Sequence, residues 1–201
     1  MVKYSTIIAE TNSRQFNVRD EFKENTVEEN VWICKQTALP FSVGCINITG
    51  ELNIGMMIRS ASLLGAQNFY IFGRKKFDGR STVGAEKYIN IIQYVYDDPM
   101  HADEAMLRDI RALTSQHYIY LCEHGGHELG THHMYEGKNN PLFIFGSESF
   151  GIPALITEQV TETNEWEFDR ISIPQRGVMR SFNVSAAMAI ICWDYTRETF
   201  L

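Results

Sequence analysis

Polar side chains that could do chemistry fall in three glycine-containing turns, each of which follows an apolar run typical of a strand. The turns are INITGELNIGMMIRSASLLGA (46–66) with Asn53 and Arg59, PLFIFGSESFGIP (141–153) with Glu148, and IPQRGVMRSFNVSAAMA (173–189) with Ser181 and Asn183. In a parallel sheet, ligands bind beyond the carboxyl ends of the strands, so these turns are where a site would form. Amide, carboxylate, hydroxyl and guanidinium groups can orient a ligand there and stabilise its charge.

None of the three turns is a standard phosphate loop. The sequence has no G-x-x-x-x-G-K-[ST] segment, and no G-x-G-x-x-G lies between a predicted strand and a helix. A cofactor would therefore be held by backbone groups in several tight turns, where glycine permits close approach. Ser181 and Asn183 could also cap a helix, but one residue suffices for a cap, so the additional polar groups favour a site.

β-rich apolar runs alternate with helix-like segments along the sequence. This pattern predicts an α/β fold with a mostly parallel sheet flanked by helices, and the sheet would hold the three turns in place. Strands are predicted at 42–48, 69–72, 91–96, 118–122, 142–145 and 170–173, and helices at 27–36, 54–64, 102–115 and 181–198. Thr26 and Glu29 have the spacing of a capping box for the first helix, and Asn53 is placed to cap the second. We expect residues 1–40 to form an extension packed on a domain of residues 41–201, with a short strand at 4–10 as a further option.

Composition and charge narrow the class of protein. The 201 residues are 44% hydrophobic, with no apolar run near the roughly 20 residues that a membrane span needs and no secretory signal pattern, so we expect a cytoplasmic protein. The four cysteines show no C-x-x-C spacing, which favours reduced thiols. HGGHELGTHH (124–133) lacks the common zinc spacings, so we read it as a loop with incidental histidines and expect no metal.

The net charge of −7 argues against a polyanionic partner, but the charges are segregated. Residues 58–90 contain six basic and two acidic side chains, whereas residues 158–169 contain five acidic side chains and no basic one. The basic segment alone does not establish a nucleic-acid interface, because charged runs are most often solvated faces.

Taken together and in order, the motifs N-x-G-x-x-x-R (53–59), F-G-S-E-x-x-G (145–151) and I-P-x-x-G-x-x-x-S-x-N-V-S (173–185) resemble those of the SpoU family of RNA ribose 2'-O-methyltransferases, in the SPOUT superfamily. The resemblance covers residues 40–198. It implies a C-terminal trefoil knot whose turns bind S-adenosylmethionine, and a homodimer with active sites at the subunit interface. Such a knot would not be expected from general topology rules.

The resemblance also implies residue roles. The catalytic positions would be Arg59, Asn53, Glu148, Ser181 and Asn183. The cofactor positions would be Phe145, Gly146, Ser147, Glu148, Gly151, Ile173, Pro174, Met179 and Ser181. A purely structural role for Glu148, accepting backbone N–H groups in its turn, is an equal alternative. Phe182 stands where leucine is commonest in the family, and SAAMA (185–189) replaces a valine-containing helix start, but neither departure changes a polar site group.

The chemistry of ribose methylation fits these residue types. A hydroxyl must be aligned with the sulfonium methyl group, so positioning should dominate the rate. An arginine that stays charged is a poor proton acceptor, so we expect Arg59 to hold a phosphate or stabilise the developing oxyanion, which leaves water or a substrate phosphate as acceptor.

The RNA would meet the basic segment, and the expected contacts are Arg74, Lys75, Lys76, Arg80 and Arg176, with Arg14 and Arg19 as further candidates. Small family members without a separate RNA-binding domain tend to act on tRNA, so tRNA is the expected substrate. The alternatives are rRNA, or a non-catalytic RNA-binding scaffold with the same fold.

Overall fold

The computed structural model describes residues 17–73, 76–131, 134–159 and 168–201. The possible strand at 4–10, the predicted RNA contacts Arg74 and Lys75, the candidate Arg14, and most of the acidic segment lie outside the described residues.

A six-stranded sheet forms the centre of the fold, and all five strand pairings are parallel. The strands are β1 (Leu39–Ile46), β2 (Ala66–Phe72), β3 (Asn90–Tyr94), β4 (Ile119–Glu128), β5 (Leu142–Phe145) and β6 (Phe168–Ser172), in the order β3-β2-β1-β5-β4-β6. The predicted α/β class with a parallel sheet is confirmed. The predicted trefoil knot stays a prediction.

Helices cover both faces of the sheet. They are α1 (Val27–Thr37), α2 (Glu51–Leu63), α3 (Gly79–Thr82), α4 (Ala102–Leu113), α5 (Ala154–Thr157) and α6 (Val184–Phe200). Buried residues of α2 and α6 share one hydrophobic cluster with Phe143 and Phe145, whereas those of α4 share another with Leu142 and Ile144. Successive β5 residues thus point to opposite faces, as the two-residue period of a strand requires. No helix in the described ranges combines the length and apolarity that a membrane span requires.

Several predicted boundaries are wrong, for identifiable reasons. Helix α2 begins at Glu51 with Gly50 as its N-cap, so Asn53 lies inside the first turn and does not cap it. Helix α6 begins at Val184 and not at 181, because Asn183 occupies the N-cap. Strand β4 continues to Glu128 beside β6, so the histidines at its end lie in a strand and not in the predicted loop.

The capping box of α1 is confirmed. The Thr26 hydroxyl accepts from the Glu29 backbone N–H at 3.2 Å, and the Glu29 carboxylate accepts from the Thr26 N–H at 2.7 Å. These two bonds satisfy two N–H groups that the start of a helix would otherwise leave unpaired.

Candidate functional site

A chain of amide and carboxylate groups connects the three motifs. Asn53 in α2 donates through Nδ2 to Glu148 Oε1 at 2.6 Å, and Asn183 donates through its own Nδ2 to Asn53 Oδ1 at 3.1 Å. The partners are 95 and 130 residues apart in the sequence, so only the fold brings them together. The sheet therefore places four predicted site groups at one edge, with Ser181 two residues before Asn183.

Asn183 has two roles, one on each side of its amide. Its Oδ1 accepts from the Ser185 N–H at 3.0 Å and from the Ser185 hydroxyl at 2.6 Å, which caps α6. Its Nδ2 is thereby turned towards Asn53. Only a side chain with both an acceptor and a donor can cap the helix and continue the network. Ser185 is buried and belongs to the cap.

The turn after β5 is set by backbone geometry. Ser147 and Gly151 exchange two backbone hydrogen bonds of 3.0 and 2.9 Å, and Gly151 has a φ of +70° that favours glycine. A Cβ atom on Gly146 would lie 2.2 Å from the carbonyl carbon of Gly151, so no side chain fits there. The glycines of this motif therefore close the turn and leave Glu148 exposed at its tip.

This turn borders a cavity of about 170 Å³, which we call the motif cavity; the middle of β4, the end of β6 and the start of α6 form its other walls. Of the predicted cofactor positions, seven line it: Phe145, Gly146, Ser147, Glu148, Gly151, Ile173 and Ser181. Pro174 and Met179 are exposed and do not line it, and neither do Asn53 and Asn183.

The motif cavity is also lined by residues that the sequence motifs do not include. The largest omission is the middle of β4, where Cys122, Glu123 and His124 line the cavity at the point where the pairing with β5 ends, and Arg180 and Phe182 are further additions. The strand predicted at 118–122 ends at Cys122, and its carboxyl end must lie beside those of its parallel neighbours, so the sequence carried this signal. Burial raises the pKa of the Cys122 thiol well above its usual range, so this thiol stays protonated and is a poor nucleophile.

Arg59 lines a different cavity. That cavity, of about 590 Å³, lies among residues 17–30, the C-terminal half of α2, and residues 79–88, and we call it the basic cavity. Arg59 follows Asn53 by six residues on α2, which separates their Cα atoms by about 9 Å along the axis and turns the side chains to different faces. A single chain therefore does not bring Arg59 together with the other four predicted catalytic residues.

Gly55, in the first motif, allows residues 78–81 to pack against α2 beside the basic cavity. A Cβ atom on Gly55 would lie 1.9 Å from the hydroxyl oxygen of Ser81 and 2.8 Å from the carbonyl oxygen of Asp78. The absence of a side chain at Gly55 lets residues 78–81 pack directly against α2. Arg80, a predicted RNA contact, lines this cavity, but Lys76 and Arg176 line neither cavity and are exposed.

The structure resembles solved RNA methyltransferases. Against the TrmH/SpoU tRNA modifying enzyme of A. aeolicus, the TM-score is 0.64 at 18% identity, over 86% of this chain and 83% of that chain. For the methyltransferase AviRb of Streptomyces viridochromogenes, determined with AdoMet, the TM-score is 0.59 at 20% identity, over 81% of this chain and 58% of that chain. At such identities the match concerns the fold.

A curated relative matches over a shorter stretch. It is the mouse tRNA (guanosine(18)-2'-O)-methyltransferase TARBP1, 34% identical over 68 residues, which are 34% of this chain and 4% of that protein. This chain thus spans a small part of the mouse protein. The SpoU rRNA Methylase family model matches residues 40–193, well over half of the sequence, and this chain belongs to that family.

Proposed function

We propose that this protein transfers a methyl group from S-adenosylmethionine to a ribose 2'-hydroxyl of RNA, with tRNA as the substrate. The observation that carries the proposal is the Asn183–Asn53–Glu148 network, which joins three distant motifs at the rim of the motif cavity. Membership of the SpoU family supports methyl transfer, and the named activities of the mouse and A. aeolicus relatives support tRNA.

The motif cavity fits the cofactor. Phe145, Ile173 and Ile191 offer apolar walls, and the absence of a Cβ atom at Gly146 lets the Gly151 and Ile152 backbone pack against this turn beside the cavity. A ligand with apolar and hydrogen-bonding parts is suited to such walls. The residues that would hold it are those of the 145–151 turn and the 172–181 segment, and when bound it supplies an electrophilic methyl group on a sulfonium.

The protein's own side chains would orient the acceptor ribose and stabilise the charge that develops during methyl transfer. The hydrogen-bonded amides of Asn53 and Asn183 fix the Glu148 carboxylate at the cavity rim, where it can position the acceptor ribose. A guanidinium group offers N–H donors and no acceptor, so Arg59 would hold a phosphate or stabilise the developing oxyanion. The hydroxyl proton then passes to water or to a substrate phosphate.

We further propose that a second copy of the chain completes the site. On α2 an exposed stripe with helical spacing runs through Leu52, Met56, Arg59 and Leu63. Helix α6, which packs against α2, also exposes large apolar side chains, among them Trp193. A two-fold contact through these helices would cover Leu52 and Met56 and bring Arg59, at the edge of the contact, to the motif cavity of the partner.

The test is transfer of labelled methyl groups from S-adenosylmethionine to RNA by the purified full chain. Ribose methylation blocks alkaline cleavage, so the label should appear in alkali-resistant dinucleotides with tRNA and be absent with rRNA fragments. Label in rRNA alone would show that rRNA, and not tRNA, is the substrate. Cofactor binding without methyl transfer to any RNA would favour the non-catalytic scaffold.

A further inference from the structure

The basic cavity has a charge pattern opposite to that of the whole chain. Four basic residues line it, namely Lys23, Arg59, Arg80 and Lys87, and none of its described lining residues is acidic. The chain as a whole has a net charge of −7, so this concentration of cations is not an average property of the surface. A concave, locally positive site attracts anions.

Two of the four cations are already neutralised and two are not. Arg80 makes a two-point contact with Asp78, with Nη2 to Oδ2 at 2.6 Å, and Lys23 lies 2.5 Å from Asp20. Arg59 and Lys87 form no ion pair with any residue that the structure describes. They come from α2 and from the 3-10 turn at 85–87, so the cavity has two uncompensated charges on separate walls.

The same cavity offers groups that suit a base. Phe22 and Tyr88 place two aromatic rings on its lining, and the Asn25 amide lies on the same wall as Phe22. Asn25 donates to Asn30 Oδ1 at 2.9 Å, and Asn30 donates in turn to the Phe22 carbonyl oxygen at 3.0 Å, so this wall is held in place. Aromatic stacking with a cation for the phosphate is the common way to hold a single-stranded nucleotide.

We infer that the basic cavity binds one nucleotide of the RNA substrate, with its phosphate on Arg59 and Lys87 and its base against Tyr88 and Phe22. This inference rests on the proposed function. Residues 17–30 form one wall, and they lie outside the 40–193 range of the family-model match. The site thus gives the extension a role in selecting RNA.

The first experiment replaces Lys87 with glutamine in the full chain and measures tRNA binding by filter retention at several salt concentrations. Loss of one phosphate contact should weaken binding about 3- to 10-fold and reduce the slope of log K against log salt by about 0.7 to 0.9. Lys35→Gln is the matched control, because Lys35 is exposed on α1 and does not line the cavity. Lys87→Arg should retain both the affinity and the slope.

The second experiment cross-links tRNA that contains 4-thiouridine and identifies the attached peptides by mass spectrometry. Cross-links should map to residues 17–30 or 79–88, and Tyr88→Leu should reduce their yield while the KM for S-adenosylmethionine stays unchanged. Equal salt slopes for the Lys87 and Lys35 variants, or cross-links confined to other segments, would overturn the inference. If these results came from an enzyme that still methylates tRNA, only the cavity assignment would fall; absence of methylation with every RNA would instead remove the proposed function.

Discussion

The motif cavity and the basic cavity differ in the structural elements that form their walls. The walls of the motif cavity are strand ends and tight turns, closed by the Ser147–Gly151 backbone pair and steadied by the Asn183–Asn53–Glu148 network. The walls of the basic cavity are three helices, two 3-10 turns and the loops beside them, and its charged groups are long side chains such as Arg59 and Lys87. A site of the first kind depends on backbone shape, and one of the second kind depends on charge and stacking.

This difference predicts how each cavity tolerates substitution. Backbone shape in a close-packed turn changes abruptly when an atom is added, because neighbouring backbone atoms cannot move aside easily. Long cationic side chains on a surface contribute smaller and salt-dependent increments. We therefore expect substitutions in the motif cavity to lower the affinity for the cofactor. Substitutions in the basic cavity should instead lower the affinity for RNA.

The largest effect should come from Arg59, which the proposal connects to both cavities. Replacing Arg59 with alanine should reduce the rate of methyl transfer by on the order of 10²-fold or more, as removal of a group that stabilises transition-state charge does. S-adenosylmethionine binding, measured by calorimetry, should be nearly unchanged because Arg59 does not line the motif cavity of its own chain and would reach that of the partner beside the acceptor ribose. An alanine variant with normal turnover would exclude the assigned role.

The next effect concerns the backbone of the motif cavity. Gly146→Ala would place a Cβ atom 2.2 Å from the Gly151 carbonyl carbon, so the turn must shift. Overpacking of this kind costs about 1–3 kcal/mol, which would weaken S-adenosylmethionine binding by about 5- to 160-fold if it falls on the bound state. Gly79→Ala is the control, since nothing lies within 4 Å of its added Cβ. Equal cofactor affinity for the two variants would contradict the backbone account.

A third effect separates the two roles of Asn183. Serine is as good an N-cap as asparagine but has no amide to donate to Asn53, so Asn183→Ser should keep the free energy of unfolding while it lowers kcat about 10-fold. Asn183→Ala should lower kcat similarly and also destabilise α6 by about 1 kcal/mol. Urea denaturation and single-turnover kinetics measure the two properties. A serine variant with full kcat would mean that the network only caps the helix.

The motif cavity was largely predictable from sequence because backbone-shaped sites require particular residues at fixed spacing. The turn needs Gly146 and Gly151, and the start of α6 needs Asn183 as its N-cap. These residue types can therefore be recognised in the sequence. The same logic gave the parallel sheet from apolar runs, but it misplaced the cap of α2, because the polar pattern cannot show that Asn53 bonds across the fold rather than to its own helix.

The basic cavity could not be predicted in the same way. Lys23, Arg59 and Lys87 belong to separate segments, and a long side chain can reach a site from many backbone positions, so no spacing reveals them. The sequence predicts RNA contacts on the charged run at 74–80 and at Arg176, and this stays a prediction. The structure adds that Arg80 pairs with Asp78, and that Arg59 and Lys87, on other segments, form no ion pair with a described residue. Charge pairing is a property of the folded chain.

The smallest effect should come from the capping box of α1, at the far wall of the basic cavity. Thr26→Ala removes the hydroxyl that accepts from Glu29, at a cost of about 1 kcal/mol to the helix. Asn30 is the buried residue of α1, so this loss should open α1 locally and leave the sheet intact. Hydrogen exchange should rise in α1 but not in α6, with a modest increase in the KM for tRNA.

The pH dependence of α1 gives the same site a second test. The Thr26 N–H bond lowers the pKa of Glu29 in the folded chain, so its contribution is fully present above the ordinary carboxyl pKa and is lost as the pH falls through the lowered value. Protection of α1 amides in the native chain should therefore decline in acid, whereas Glu29→Gln, which has no ionisable group at this position, should show no such decline. If the two chains match at neutral pH and also decline equally in acid, the charge of Glu29 does not stabilise α1, and the hydrogen bond alone holds this wall.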